Sequence, residues 1–220
     1  MPLTVKICGL TTPYALDVAL KEGADMVGLV FHPKSPRYVR LEQASSLAAQ
    51  ARGEARVAAL VVDAQDGALE AIRKAVGPDL WQLHGQESPE RVAALRASLA
   101  GLAMKAIGVG EAADLRLIPA YAAVADHILL DARPPKDAAY PGGHGRPFDW
   151  AILEGLDHDQ PFVLSGGLTP DNVADAIGAM RAMGLALAGV DVSSGVESAP
   201  GVKDPEKIRA FIAAAREAGG

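Results

Sequence analysis

Cysteine is nearly absent from this 220-residue chain, which contains one, at position 8. A single cysteine excludes an internal disulfide bond and is typical of proteins from a reducing compartment. Long apolar runs are also absent, since none reaches the ~18 residues that a membrane-spanning helix needs. The first residues lack the basic and then apolar build of a signal peptide. These absences predict a soluble, cytoplasmic protein that binds no membrane.

Surplus positive charge is lacking as well. The formal net charge is −6 and the pI is about 5.4, so we expect no sequence-independent binding to nucleic acid. An anionic ligand would have to be held by local groups. The five histidines are scattered, no Cys/His spacing matches a zinc site, and there is no G-x-S-x-G turn. The sequence therefore predicts neither a metal centre nor a serine nucleophile.

Short apolar runs alternate with segments of helical period along the whole chain. Strand followed by helix, eight times, favours parallel strands and predicts a compact (β/α)8 TIM barrel, an α/β fold, as one domain over residues 1–220. The rival is an open doubly wound sheet, but its usual G-x-G-x-x-G turn is missing after the first strand. A Pro- and Gly-rich loop from Pro134 to Pro147 is of a length typical of lids or binding loops. The predicted strands are Leu3–Cys8, Met26–Phe31, Arg56–Val62, Leu80–His84, Leu102–Ile107, His127–Asp131, Pro161–Ser165 and Val190–Ser193. The predicted helices are Pro13–Glu22, Glu42–Arg52, Ala68–Val76, Pro89–Leu99, Ala112–Tyr121, Asp149–Leu153, Pro170–Met183 and Pro205–Ala218.

Polar and apolar residues alternate in several predicted strands. Lys6 and Cys8 share a face of the first strand, Gln82 and His84 a face of the fourth, and Asp191 lies in the last. Alternate residues of a barrel strand face the interior and the helices, so these polar side chains are expected inside, toward the strand ends where barrel active sites lie. Because buried polar groups need partners, we expect Lys6 to pair with Asp191. The apolar residues expected against the helices are Val5, Ile7, Leu83, Val190 and Val192.

Two residues at strand ends could transfer protons. Cys8 ends the first strand; a lone cysteine is usually a small buried hydrophobic residue, but a thiolate at this end of a barrel strand can act as a general base. Asp131 ends the sixth strand and is either a turn residue or a general acid or base. The residues alone leave these alternatives open.

Two turns could bind a phosphate. Gly166 and Gly167 follow the seventh strand, and we expect Thr169 to cap the next helix with Pro170 as its first residue, a combination whose unpaired N–H groups suit an anion. The loops after strands seven and eight are the usual phosphate site of such barrels, although ordinary strand-to-helix turns would look similar. The corresponding residues after strand eight are Ser193, Ser194 and Gly195.

Arg37 follows the second strand in a loop stiffened by two prolines. A planar guanidinium matches a carboxylate in two hydrogen bonds. Arg37 is therefore a candidate for binding a substrate carboxylate, with a solvated surface position as the alternative.

Taken together, these motifs resemble those of the phosphoribosylanthranilate isomerase family of tryptophan biosynthesis. The resemblance covers the whole chain in order, and a Lys-x-Cys-Gly start joined to a Ser-Ser-Gly-Val-Glu end is highly specific. The chain departs from the family's pattern at His144, where a small residue is usual, and at Arg146 and Pro147, where Lys-Thr is usual. The matching stretches are Val5–Thr11, Gly28–Phe31, Ser35–Val39, Gln82–Gly85, Leu130–Ala132, Phe148–Trp150, Leu164–Val173 and Asp191–Glu197.

The resemblance implies an enzyme that performs the Amadori rearrangement of N-(5-phosphoribosyl)anthranilate, with no metal or redox cofactor. It implies that Asp131 protonates the furanose ring oxygen, that Cys8 removes the proton at C2′, and that Arg37 holds the anthranilate carboxylate. It further implies phosphate ligands at Gly166, Gly167, Ser193, Ser194 and Gly195. Other expected substrate-binding residues are Lys6, His84 and Asp191.

Two other functions stay open from the sequence. An aminoaldose isomerase of histidine biosynthesis would be expected to carry aspartate in place of Cys8 and a second phosphate site opposite the first. A barrel that only binds or assembles would not need both Cys8 and Asp131 in usable positions. The sequence is compatible with a monomer or a homodimer.

Overall fold

Eight parallel strands form a closed barrel in chain order, and β8 pairs with β1 to close it. The computed structural model describes residues 2–133, 148–157 and 159–220, so the predicted loop Pro134–Pro147 lies outside the described residues. Closure of the sheet confirms the TIM-barrel prediction and excludes the open doubly wound sheet. The barrel strands are β1 (Thr4–Cys8), β2 (Met26–Val30), β3 (Arg56–Val61), β4 (Leu80–Leu83), β5 (Leu102–Val109), β6 (His127–Ala132), β7 (Phe162–Leu164) and β8 (Leu187–Val192).

Helices between the strands cover the outside of the barrel. In the first of them the Thr12 side chain accepts a hydrogen bond from the Ala15 N–H at 3.2 Å, and Pro13 fills the first turn, where its missing N–H costs nothing. Within the described residues no helix has the length and hydropathy needed to cross a membrane. The helices are α1 (Pro13–Lys21), α2 (Leu41–Ala51), α3 (Asp66–Val76), α4 (Pro89–Ser98), α5 (Ile118–Ala122), α6 (Val173–Ala182) and α7 (Pro205–Gly219).

The predicted helix Ala112–Tyr121 is wrong in type over its first half. A 3₁₀ segment runs from Ala112 to Leu117 and only then does α5 begin. Pro119 has no N–H to offer the Leu115 carbonyl, which accepts from the Ile118 N–H instead.

The predicted helix Asp149–Leu153 is also wrong in type, since a 3₁₀ segment occupies Trp150–Gly155. The Asp149 side chain accepts a hydrogen bond from the Ala151 N–H at 3.0 Å and so starts the segment. Residues of this short connection still pack on the barrel, because Leu153 is fully buried.

Side chains fill the barrel interior in layers. A small cluster lies toward the carboxyl ends of β1 to β3, apart from a larger interior cluster, and consists of Cys8, Val30 and Leu60. The apolar residues predicted to face the helices all belong to the large cluster outside the barrel. This alternation confirms the predicted facing of the strands and places their polar residues inside. The apolar interior cluster is made of Met26, Ala58, Leu80, Met104, Ala106, Leu129 and Val163.

Three aspartates fasten the opposite end of the barrel, at the start of the strands. Each directly precedes an even-numbered strand and accepts a hydrogen bond from a backbone N–H of the odd-numbered strand before it. The bonds are Val5 N–H to Asp25 at 2.7 Å, Val57 N–H to Asp79 at 2.8 Å and Ala103 N–H to Asp126 at 2.9 Å. The polar residues predicted for the site therefore lie at one end of the barrel, and side-chain hydrogen bonds stabilise the other end.

A short hairpin that the sequence did not predict follows β8. After a 3₁₀ turn at Ser194–Val196, β9 (Glu197–Ala199) pairs with β10 (Val202–Lys203) in antiparallel fashion. The register places Lys203 opposite Glu197. This hairpin brings two charged side chains back toward the carboxyl end of the barrel.

Candidate active site

One cavity opens at the carboxyl ends of the barrel strands and collects residues from β1, β2, β3, β4, β6, β7 and β8 and from the loops that follow them. Of the residues predicted to act in the site, all but Lys6 and Gly195 line it. The lining residues are Cys8, Val30, His32, Ser35, Arg37, Leu60, Val62, Gln82, His84, Asp131, Ser165, Gly166, Gly167, Leu168, Asp191, Val192, Ser193 and Ser194.

Cys8 lies in the cavity wall at the end of β1. Burial raises the pKa of its thiol above the usual value, and the neighbouring Lys6 opposes that rise. The Lys6 ammonium lies 2.7 Å from the Asp191 carboxylate with both side chains buried, which confirms the predicted ion pair. Lys6 is 1% exposed and does not line the cavity. It is therefore a buried cation beside the thiol.

Asp191 links the ion pair to the seventh strand. Its second carboxylate oxygen accepts a hydrogen bond from the Ser165 hydroxyl at 3.1 Å. Burial alone would lower the pKa of Lys6, but Asp191 and then Cys8 raise it above the usual value. Lys6 therefore stays charged, and the base of the site has a fixed positive charge next to Cys8.

Asp131 stands in β6, across the barrel from β1, and both of its carboxylate oxygens are engaged. One accepts a hydrogen bond from the Ala132 N–H at 2.8 Å, and the other lies 3.1 Å from His84 Nε2. The remaining ring nitrogen of His84, Nδ1, lies 3.2 Å from the Gln82 side-chain amide nitrogen. A row of three side chains thus runs from β4 to β6 along the cavity wall.

The loop that carries His84 is held from outside the barrel by a buried ion pair. The Lys105 ammonium donates to the Glu87 carboxylate at 2.7 Å, to the Gly85 carbonyl at 2.7 Å and to the Leu83 carbonyl at 3.2 Å. Those two carbonyls belong to the residues on either side of His84. The backbone at His84 is therefore fixed by one cation, which uses all three of its N–H groups.

Arg37 enters the cavity as a buried side chain and meets a carboxylate of the same chain. Its Nε and Nη2 donate to the two carboxylate oxygens of Glu197 at 2.7 and 2.9 Å. Lys203 also donates to Glu197, at 2.8 Å, and to the Ser193 carbonyl, at 2.8 Å. Burial lowers the pKa of Lys203 to about 8, against the pull of Glu197. Arg37 is thus held in place by the hairpin after β8.

Burial would raise the pKa of Glu197, but its hydrogen bond with Arg37 and the charge of Lys203 outweigh that effect and lower it. A charged Glu197 fixes the plane of the guanidinium with two of its five N–H groups.

The two glycine- and serine-rich turns meet at close range. A Cβ at Gly195 would lie 1.8 Å from the Leu168 carbonyl oxygen, so only glycine lets the loop after β8 approach the loop after β7 this closely. Gly166 has a φ of +85°, and a Cβ there would lie 2.3 Å from the Ala132 nitrogen. The Ser193 hydroxyl donates to the Cys8 carbonyl at 3.2 Å. The turns are therefore packed against both proton-transfer candidates.

The predicted start of the sixth helix is wrong. Thr169 does not cap α6 and Pro170 is not its first residue, because the helix begins at Val173 behind Asn172. The Asn172 side chain accepts from the Thr169 N–H at 2.8 Å and donates to the Gly167 carbonyl at 3.0 Å, which folds the intervening residues into a turn. The glycine turn therefore precedes the helix by several residues and does not form its first turn.

Sequence reasoning overlooked several contributors to the site. Gln82 has a predicted facing but no predicted role, although the same parity argument that selects His84 selects it. Glu197 ends the motif that follows β8. Lys203 lies outside every strand and helix that the sequence predicts. For Lys105 no local pattern gives a signal, since its partners come from the loop after β4.

A closed parallel barrel with thiol, carboxyl, imidazole and guanidinium groups around one cavity at the strand ends defines the class of (β/α)8-barrel enzymes. A family model described as N-(5′-phosphoribosyl)anthranilate isomerase matches residues 5–214. The chain belongs to this family of isomerases of tryptophan biosynthesis.

Individual relatives agree with the family over nearly the full length. The N-(5′-phosphoribosyl)anthranilate isomerase of Rhodopseudomonas palustris (strain BisA53) is 59% identical over 216 residues, which cover 98% of this chain and 97% of the relative. A crystal structure of phosphoribosyl anthranilate isomerase from Thermotoga maritima is 34% identical with a TM-score of 0.84, covering 98% of this chain and 99% of that one.

A further crystal structure, of a phosphoribosyl anthranilate isomerase, is a complex with reduced 1-(o-carboxyphenylamino)-1-deoxyribulose 5-phosphate. It is 32% identical to this chain with a TM-score of 0.81, and the alignment covers 98% of this chain and 99% of that one. Another structure of the Thermotoga maritima protein describes that enzyme as dimeric.

Proposed function

We propose that the chain converts N-(5-phosphoribosyl)anthranilate to 1-(2-carboxyphenylamino)-1-deoxyribulose 5-phosphate, with Asp131 as general acid and Cys8 as general base. The observation that carries this proposal is the placement of Cys8 on β1 and Asp131 on β6 in the wall of one cavity. Strands β7 and β8, with their glycine and serine turns, fill the shorter arc between them. Acid and base can therefore reach one sugar from different sides.

The first step opens the furanose ring. A protonated Asp131 gives its proton to the ring oxygen as the bond between that oxygen and C1′ breaks. The lone pair of the anthranilate nitrogen forms a C1′=N double bond, so the product is a protonated Schiff base and an Asp131 carboxylate. His84, 3.1 Å from Asp131, stands where it can donate a hydrogen bond to that carboxylate.

The second step moves the proton at C2′. The Cys8 thiolate takes this proton, its electron pair forms a C1′=C2′ double bond, and the electrons of the C=N bond return to nitrogen. The resulting enolamine gains a proton at C1′ and loses one from the C2′ hydroxyl, which gives the ketone. The atoms of substrate and product are the same, so the chemistry requires no net oxidation or hydrolysis.

The buried thiol needs help to act as a base. Burial raises the pKa of Cys8, which favours the unreactive thiol, while the charges of Lys6 and Lys203 work in the other direction. We assign to Lys6 the role of a fixed positive charge that favours the thiolate. Its ion pair with Asp191 holds it there.

The two charged ends of the substrate have separate partners in the proposal. Arg37, which lines the cavity, binds the anthranilate carboxylate through its guanidinium. Gly166, Gly167, Ser193 and Ser194 bind the phosphate from the two adjoining turns, whose close approach Gly195 allows.

We further propose that residues 1–220 act as a single domain, that the protein is cytoplasmic, and that it works as a monomer or homodimer. The experiment that tests the function follows the fluorescence of freshly formed N-(5-phosphoribosyl)anthranilate. Purified protein should abolish the anthranilate-type fluorescence at a rate proportional to enzyme concentration, and no change in that rate on adding enzyme would refute the proposal.

A further inference from the structure

Gln82 is a fully buried polar side chain in the wall of the active-site cavity. Its amide nitrogen lies 3.2 Å from His84 Nδ1. Its amide oxygen is buried and has no hydrogen-bond partner among the residues that the structure describes. An unpaired buried oxygen opposes folding, and an apolar residue of similar length would avoid it. The residue is therefore better explained by what its nitrogen does than by packing.

The contact with Gln82 determines which nitrogen of His84 carries the proton. A neutral imidazole has one donor and one acceptor nitrogen. The amide nitrogen of Gln82 is a donor and faces Nδ1 at 3.2 Å, which favours Nδ1 as the acceptor and the ring proton on Nε2. Nε2 is the atom that faces Asp131, at 3.1 Å. The row Gln82–His84–Asp131 is thus directional, with each member donating to the next.

We propose that Gln82 is a positioning residue that holds His84 as the Nε2–H tautomer, so that His84 donates a hydrogen bond to Asp131. The inference rests on the proposed role of Asp131 as the acid. When Asp131 has given its proton to the ring oxygen, the new carboxylate receives this hydrogen bond. In the other tautomer, the lone pair of Nε2 would face the carboxylate and repel it. Gln82 therefore acts on the chemical step through His84 and need not touch the substrate.

The inference predicts the effect of two substitutions at one position. Gln82→Met keeps the length of the side chain but removes the donor, so Asp131 alone favours the Nε2–H form and the Nδ1–H form gains population. Gln82→Glu places a second carboxylate beside His84, so the ring takes up a second proton and Nδ1 becomes a donor. Met104→Leu is the matched control, because Met104 is buried in the interior cluster and is the β5 partner of Gln82 in the barrel register.

The test has a spectroscopic part that is independent of turnover. Nitrogen-15 NMR of the histidine side chains in the substrate-free protein, with His84→Gln used to assign the signals, reports which ring nitrogen is protonated. We expect the Nε2–H form in the unsubstituted protein and in Met104→Leu, and a ring that also carries a proton on Nδ1 in Gln82→Glu. An Nδ1–H form in the unsubstituted protein overturns the inference, even if every Gln82 variant fails to fold.

The kinetic part separates positioning from packing. We expect Gln82→Glu to lower kcat at least about tenfold, as a wrong protonation state does in other proton-transfer enzymes, and Gln82→Met to lower it less, with KM changed less than about threefold in Gln82→Met and its thermal stability unchanged or higher. An unchanged kcat in a variant whose tautomer has changed overturns the inference. If the unsubstituted protein shows the Nε2–H form but does not consume the substrate, the proposed function fails while the tautomer assignment stands.

Discussion

Replacing Lys105 by methionine should destabilise the protein strongly, because it removes one partner of a buried ion pair. The Lys105 ammonium lies 2.7 Å from the Glu87 carboxylate, and both side chains are buried. The substitution removes three hydrogen bonds from the ammonium and leaves the Glu87 carboxylate in a buried position. Breaking such a pair from one side costs about 3–5 kcal/mol. The carboxylate keeps the backbone N–H groups of Gly85 and Asp63, which favours the lower end of that range.

The loss can be measured by urea unfolding and by the thermal midpoint. A chain of this size changes its Tm by about 2–4 °C for each kcal/mol, so we expect a fall of roughly 6–20 °C. Lys74→Met is the matched control, since Lys74 pairs with Glu70 in solvent and such pairs contribute only about 0–1 kcal/mol. Equal effects of the two substitutions would refute the reasoning that burial makes the Lys105 pair important.

Three further predictions concern the site and the barrel. Because burial raises the pKa of the Cys8 thiol, kcat/KM should rise from pH 6 to pH 9 as more thiolate forms; a profile that falls over this range would exclude the thiolate as the base. Arg37→Ala should raise KM for the substrate at least about tenfold, while Glu197 keeps Lys203 as its buried partner; an unchanged KM would contradict the carboxylate role. Asp79→Ala should lower the free energy of unfolding by about 0.5–1.5 kcal/mol with kcat unchanged, because it removes one bond at the far end of the barrel; a loss of activity without a loss of stability would show that this end is coupled to the site.

Hydrophobic periodicity predicts most of this fold, because each helix buries one face and each strand is a short apolar run buried on both faces. The alternation in β1 and β8 identified the facing of Lys6 and Asp191, and the ion pair followed from the rule that buried charges need partners. The errors occur where a side chain competes with the backbone. Pro119 prevents a regular helix after β5, and the Asn172 side chain shapes the turn before α6.

The site was less predictable where its parts come from distant segments. Cys8 and Asp131 could be selected because their position at strand ends is a local property. The pairing of Arg37 with Glu197 joins residues 160 positions apart, and Lys105 acts on His84 from the outer face of β5. Such contacts depend on the register and loop geometry of the closed barrel, which a sequence pattern does not encode.

The central claim is that Cys8 and Asp131 act on one sugar from two strands, and the most direct test compares their two single variants. Cys8→Ala and Asp131→Asn should each lower kcat in the fluorescence assay by about 10²–10⁴ while the circular dichroism spectrum and the Tm stay close to those of the unsubstituted protein. Full activity in either folded variant would contradict the account.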